Sequence, residues 1–447
     1  MKKNYGLIGC LLLFHISVVK AEDLLTIYGQ ALESDPELQM AGYKVQIGTA
    51  QKGQALGGML PQINASTNWS QNNQIVDGPK VKNNLAVDNS NHYNGTRYNV
   101  SLSQSLLDFA KFWDWRRAQY IENQYTFENI AAQHDIMFNV VDKYFNVLET
   151  EDILFYLRAE EETTLKQLEQ VQKQFAKQLI LITDVYEVEA KADQLKARII
   201  EAETELVIAK ESLKELTNTE PLGLYKLRDE IDYVKLDGKL SDWIEVAKSE
   251  NPMLAAQISA IEAADRNVKV QKSKYLPVVD MQMQYYSTNT GYQSINLGQN
   301  YETTVGAINI TIPLFSGGVT TNQMYEAQYK LSISHSENEA KIRALIKETS
   351  DTFLSTNASV KRISASHKAL DSAVKSRESL ETSFNYGEQT IGDVLNAQRN
   401  EFVAKLELAQ AKYAFIRNKI RFFRATGLIT EENLVEVNNW LKPHSNY

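Results

Sequence analysis

Asp184 and Asp393 sit in near-identical tetrapeptides, Ile182-Thr183-Asp184-Val185 and Ile391-Gly392-Asp393-Val394, placed 209 positions apart. A carboxylate that follows Thr or Gly and precedes an apolar run suits the first turn of a helix. There it accepts from orphan backbone N–H groups and meets the positive end of the helix dipole. The other side chains able to do chemistry are dispersed. His92, His134, His335, His367 and His444 show neither a metal-ligand spacing nor a paired nucleophile, and no glycine-rich phosphate loop occurs. His134, His335 and His367 fall in long helical stretches and read as surface or interhelical residues. The runs Glu160-Glu161-Glu162 and Glu201/Glu203/Glu205 read as solvated helix faces. No enzyme activity and no cofactor are expected.

The elements that carry these residues occur twice. Ala31 with Asp35-Pro36 returns as Ala247 with Asn251-Pro252, and Leu60-Pro61 as Leu276-Pro277, both displaced by 216 positions. Further on, Ala118-Gln119-Tyr120 returns as Ala327-Gln328-Tyr329 and Phe175 as Phe384, now displaced by 209. A duplicated half implies one body built from two copies rather than two unrelated domains. All eight prolines stand at punctuation, and glycine is missing from 96 to 222 and from 319 to 386. Two very long helical stretches follow, with apolar stripes such as Ile136, Val140, Tyr144, Val147 and Leu148. A helix from Phe109 to about Phe175 would run roughly 100 Å at about 1.5 Å per residue, and needs coiled-coil partners along its length.

After Pro61 and Pro277 the period changes to two. Ile63, Ala65, Thr67 and Trp69 alternate with Asn64, Ser66 and Asn68, and Val279, Met281, Met283 and Tyr285 with Asp280, Gln282 and Gln284. The return strands agree: Val100, Leu102 and Leu106 against Ser101, Ser103 and Ser105, and Ile308, Ile310, Ile312 and Leu314 against Asn309, Thr311 and Pro313. Expected strands are therefore about 62–72, 97–107, 277–287 and 303–314, with exposed loops over Gln71–Gly95 and Ser287–Asn300. Expected divisions are a first repeat over 22–217, a linker or equatorial region over 218–239, a second repeat over 240–427 and a C-terminal segment over 428–447. A soluble hairpin on a helical body would satisfy the periodicity. The lengths, with Trp69, Tyr98, Tyr285 and Tyr286 near the ends, also match outer-membrane barrel strands. Four strands cannot close a barrel, which needs about eight, and an open edge is not tolerated in lipid, so a spanning subunit must oligomerise.

The first 21 residues read as an export signal: Lys2-Lys3, an apolar core over Leu7–Val19, and Val19-Lys20-Ala21 before Glu22. Leu7-Ile8-Gly9-Cys10 resembles a lipoprotein box, but Cys10 precedes Leu11-Leu12-Leu13-Phe14, so simple cleavage at 21 is expected. Cys10 is the one cysteine, which leaves the mature chain without a disulfide or a cysteine metal site. Removal of Lys2, Lys3 and Lys20 takes the formal charge from −9 to −12, unsuited to nucleic acid. No later stretch approaches the roughly 18 to 20 apolar residues of a membrane helix.

The two-copy order, Leu-Pro before each hairpin, the exit Ile312-Pro313-Leu314-Phe315-Ser316-Gly317-Gly318, and the motif Phe384-Asn385-Tyr386-Gly387-Glu388-Gln389-Thr390-Ile391-Gly392-Asp393-Val394-Leu395 resemble the TolC-type outer-membrane efflux channels. The resemblance covers nearly all of 22–442. It implies a mainly α fold with antiparallel β: a homotrimer whose long α-helical barrel joins a 12-stranded transmembrane β-barrel, four strands per subunit, in two internal repeats. It also implies an exit duct for tripartite efflux or type I secretion, set in outer-membrane lipid and extending into the periplasm. The implied partners are a periplasmic adaptor and an inner-membrane transporter of RND, ABC or MFS type.

In such channels the tips of the two halves carry the gate, and rings of aspartate narrow the entrance. Asp393 matches the outer ring, whereas the second ring position is Asn396 here. Losing one of two carboxylate rings halves the cation-attracting field. Glu187, which aligns with Asn396, restores it only if it faces inward. Asp184 matches the residue that accepts a closing hydrogen bond, and Thr183 beside it is expected among the closing contacts, with the positions of Phe384 and Gln389. The expected tyrosine donor is Phe384 and the expected arginine is Gln389, so neither supplies the family's charge-assisted clamp. Different closing contacts are expected. Gly387 matches the turn that receives the adaptor's tip, and Gln178 replaces the corresponding glycine of the first half. An exported periplasmic coiled-coil adaptor or surface adhesin without a pore is the alternative, and the amphipathic hairpins distinguish the two.

Overall fold

The computed structural model describes residues 22–75, 90–221, 223–228, 230–289 and 299–443. The expected leader with Cys10, residues 76–89 and 290–298 of the expected loops, and His444 lie outside the described residues. The first half runs α1 (Leu24–Ser34), α2 (Pro36–Gly57), β1 (Gln62–Ile75), β2 (Ser90–Leu107), α3 (Phe109–Ala176) and α4 (Ile182–Thr217). After β3 (Lys226–Leu227), the second half runs α5 (Leu240–Glu250), α6 (Pro252–Ser273), β4 (Val278–Asn289), β5 (Asn300–Thr311), α7 (Val319–Asn385) and α8 (Ile391–Thr426). The short α9 (Glu431–Asn438) and β6 (Leu441–Lys442) close the described chain.

The duplication is visible element by element. α1 and α5 each have 11 residues, α2 and α6 each 22, and α4 and α8 each 36. The repeated Asx-Pro pairs are helix starts. Asp35 Oδ1 accepts from Leu38 N at 2.7 Å and Asn251 Oδ1 from Leu254 N at 3.1 Å, with Pro36 and Pro252 at the first helical positions, where no N–H is needed. Asn218 and Gly427, again 209 apart, end α4 and α8 in the left-handed conformation.

The chain forms two compact units, each drawing on both repeats. The first comprises the chain up to Leu38 with Gln133–Ala247 and Ile346–Tyr447. Its core joins Leu24 and Ile27 of α1 to Val140, Tyr144, Phe145 and Leu148 of α3, Leu213 of α4, Phe415, Ile416 and Ile420 of α8, and Leu434 of α9. Burying such side chains contributes about 1.5–3 kcal/mol each, and no single half supplies the whole set. The Tyr144 hydroxyl donates toward the carbonyls of Glu22, 3.2 Å, and Tyr225, 3.0 Å. β3 pairs antiparallel with β6, so the expected linker over 218–239 contains a strand bound to the C-terminal segment.

The second unit, Gln39–Ala132 with Lys248–Leu345, holds an antiparallel sheet of order β1-β2-β4-β5. Its register aligns Ala65 with Val100, Val100 with Tyr285, and Tyr285 with Thr304. Ile63, Trp69, Tyr98, Val100, Leu102, Met283, Tyr285, Ile308 and Ile310 thereby share one face. Asn64, Ser66, Asn68, Ser101, Asn99, Gln282, Gln284 and Asn309 share the other. The strand limits differ from those expected. β1 runs to Ile75 and β2 begins at Ser90, so much of the loop assigned to Gln71–Gly95 is ladder, while β4 continues to Asn289 and β5 begins at Asn300. Polar Asn and Gln in these extensions hide a backbone ladder, to which side chains add bonds such as Tyr93 hydroxyl to Gln74 Oε1 at 3.4 Å. β5 stops at Thr311 rather than 314, because Pro313 has no N–H to donate.

Candidate functional site

Each long helical pair is joined by a tight turn of one kind. In α3–α4, Gln178 takes φ +59°, its N–H reaching Phe175 O at 2.8 Å while Leu179 N reaches Gln174 O at 3.0 Å. In α7–α8, Gly387 takes φ +78°, with Gly387 N to Phe384 O at 2.9 Å and Glu388 N to Ser383 O at 3.0 Å. These are left-handed C-terminal motifs related by the 209-residue repeat. Glycine takes that conformation freely, whereas a β-carbon opposes it, so the Gln178 turn is the strained copy.

Beyond each turn an aspartate starts the next helix. Asp393 Oδ2 accepts from Thr390 N at 3.1 Å and from the Thr390 hydroxyl at 2.6 Å, and Thr390 Oγ1 accepts from Asp393 N at 3.2 Å. The Thr390 hydroxyl, with its backbone N–H, holds the Asp393 carboxyl below the ordinary carboxylate value. Asp184 Oδ2 accepts from Leu181 N at 3.1 Å, but leucine offers no return acceptor. Both aspartates therefore cap helices, as their spacing implied.

The closing positions are brought together differently from a polar clamp. Phe384 packs with Leu168 and Ile180 against a buried cluster of Val171, Val185, Val188, Ile391 and Leu395, which joins α3–α4 to α7–α8. Gln170 Nε2 donates to Asn385 Oδ1 at 3.4 Å beside it. The Glu187 carboxylate lies over Gly392, its Oε1 3.0 Å from the point a β-carbon there would occupy. Thr183, Gln389 and Asn396 are exposed. Sequence reasoning missed the seat of Glu187 on Gly392, which two distant segments create. The small residue at 392, where the first half has Thr183, was its one signal.

A charge network lies between α7 and α8, also unforeseen. Arg377 bonds Glu401, Glu381 at 2.7 Å and Glu378 at 3.3 Å, while Lys405 reaches Glu401 at 2.6 Å. Burial pushes the Glu401 carboxyl up, but Lys405 and Arg377 outweigh it and hold it below its ordinary value. Arg377, Glu381, Glu401 and Lys405, with Tyr156 and Glu160, line a cavity of about 290 Å³. Glu160 there pairs with Lys191 at 2.9 Å. Among the described residues no group of three metal-ligating side chains occurs.

The exposed sheet is the second feature. Ile63, Trp69, Tyr98, Ile308 and Ile310, all on its apolar face, are each at least 60 % exposed. An apolar face of this extent calls for lipid or a partner. No described helix is long and apolar enough to cross a membrane.

Comparison with known proteins accords with these features. The model of the outer membrane efflux protein family matches residues 27–219 and 243–428, one segment per repeat. The chain is 28 % identical to outer membrane protein TolC of Escherichia coli strain K12, over 98 % of this chain and 89 % of that protein. It is 30 % identical to TolC of Vibrio cholerae serotype O1, over 95 % of each. The fold superposes on the crystal structure of the Campylobacter jejuni CmeC outer membrane channel with a TM-score of 0.80, covering 94 % of this chain and 90 % of that one at 16 % identity. The repeat, the paired tips, the amphipathic sheet and the two-segment match together place this chain in the outer membrane efflux protein family.

Proposed function

We propose that three copies of this chain close their four-stranded sheets into one outer-membrane barrel and use the α3–α4 and α7–α8 turns as a periplasmic gate. The observation that carries this reading is the sheet itself. It has an exposed apolar face, a polar face opposite, and outer strands β1 and β5 that each pair with one neighbour in the chain. Lipid tolerates neither an open edge nor an unpaired backbone, and four strands fall short of the minimum for closure. Three subunits give a barrel wide enough to conduct.

The chain is an exit duct for efflux or type I secretion, not an enzyme. Membership of this family argues against a poreless adaptor or adhesin. In the proposed gate Asp393 draws cations to the entrance, with Asn396 neutral one turn later. Asp184 and Thr183 line the matching first-half turn, and Glu187, seated on Gly392, adds its charge at the base of α8. Phe384 closes by packing where Gln389 supplies no cation. Gly387 and the strained Gln178 form the tips that a periplasmic adaptor grips, and an inner-membrane pump of RND, ABC or MFS type drives transport.

Planar-bilayer recording tests the gate. Addition of hexamminecobalt(III) from the periplasmic side should block the unaltered protein, and Asp393→Ala should weaken that block and lower cation preference. Identical block in the variant removes Asp393 from the conducting path.

A further inference from the structure

The strands carry few charges, and their placement is uneven. His92, Arg97, Asp280 and Glu302 are the ionisable acids and bases of β1, β2, β4 and β5 apart from tyrosines. Arg97 pairs with Asn68 and Thr288, and Asp280 with Ser105, so both belong to the polar face. His92 and Glu302, opposite Asn73 and Ser287, belong to the other. Arg97 lies eight residues along β2 from the Asp280 rung, about 26 Å at the rise of a strand. The Arg97 guanidinium carbon stands 4.6 Å from the centre of the Tyr286 ring, one diagonal step across the same face. The neighbouring polar groups are tied down. Thr288 is buried with its hydroxyl on Thr96 O at 3.2 Å, Thr96 N donates to Asn289 Oδ1 at 2.9 Å, and Gln284 Nε2 donates to Asn99 Oδ1 at 2.6 Å. A flexible side chain is thus given a fixed seat on an aromatic plate, in a rung that cannot readily rearrange.

We propose that Arg97, braced on Tyr286, forms a cationic ring inside the barrel that favours anionic solutes and opposes multivalent cations, making it a selectivity determinant of the duct. This rests on the reading that the polar face lines a lumen closed by three copies. Three guanidinium groups project a field over about one Debye length, roughly 8 Å at physiological salt, so the preference strengthens as salt is lowered. Its sign is opposite to that of Asp393, so the two positions select separately.

The test is bilayer recording of the full chain, Arg97→Gln and Arg97→Lys in a low-salt potassium chloride gradient, with tripolyphosphate then added from the outer side. Arg97→Gln should shift the reversal potential toward cation preference and lose tripolyphosphate block, and Arg97→Lys should keep both. Unchanged selectivity and block in Arg97→Gln overturn the inference. Absence of any pore in the unaltered protein instead overturns the closed-barrel reading. Should Arg97→Gln fail to insert, the unaltered protein decides: tripolyphosphate block that fades with added salt supports the ring, and no block overturns it.

Discussion

Gln178 occupies the left-handed turn that its repeat partner fills with Gly387. Holding a side chain there costs about 1–2 kcal/mol, more than the roughly 0.5–1 kcal/mol of extra backbone entropy that glycine loses on folding. Gln178→Gly should therefore stabilise its turn by about 1 kcal/mol or less, and Gly387→Ala should destabilise the other by a similar amount. Hydrogen exchange at the Leu179 and Glu388 amides, the closing donors of the two turns, measures both. A second residue-scale expectation concerns pH. The folded Asp393 carboxyl is held low, so its capping contribution is present above the ordinary carboxylate value and lost as pH falls through the depressed folded value. Thr390→Val removes the hydroxyl that acts most strongly and should move that loss to higher pH, read from the pH dependence of hexamminecobalt block. The role of Asp393 as a cap was legible because it follows Gly392 and precedes an apolar run. That of Glu187 was not, because its neighbour is 205 positions away in sequence.

At the scale of elements, the tips are held by apolar packing where a tyrosine and an arginine were the expected donors. Phe384→Ala should open a void beside Val185, Val188, Ile391 and Leu395. Full burial would make the loss about 3–5 kcal/mol; Phe384 is half-buried, so about 2 kcal/mol is expected. Because those residues join the two helical pairs, the variant should also show a higher open probability in bilayers, while Gln389→Ala, at an exposed position, should not. The helices were legible from missing proline and glycine, and their limits fall where Asx-Pro pairs and left-handed residues place them. The strands were legible in their alternating middles and illegible at their ends. From Asn91 to Gly95 and from Gln71 to Gln74 there is no apolar alternation to read, and the ladder rests on backbone hydrogen bonds. The β3–β6 pair was hidden for a similar reason: two residues carry no periodicity, and the partners lie on either side of the second repeat, in the linker and the C-terminal segment.

At the scale of the molecule, duplication gives each chain two hairpins, and both compact units take elements from both copies. The family and the exposed sheet fix where the chain works, in the outer membrane. What remains to be tested most directly is which face of the sheet meets lipid. In a Cys10→Ser background, Ile308→Cys, Asn309→Cys and Ile310→Cys place one thiol at successive positions of β5. With the protein in liposomes carrying a lipid-phase quencher, a closed barrel requires Asn309→Cys to react with a membrane-impermeant maleimide. The thiols at 308 and 310 should resist that reagent, and fluorophores attached to them with a membrane-permeant maleimide should be quenched from the lipid. Equal aqueous labelling at all three positions, with no quenching at 308 or 310, would contradict the barrel and return the sheet to a soluble hairpin.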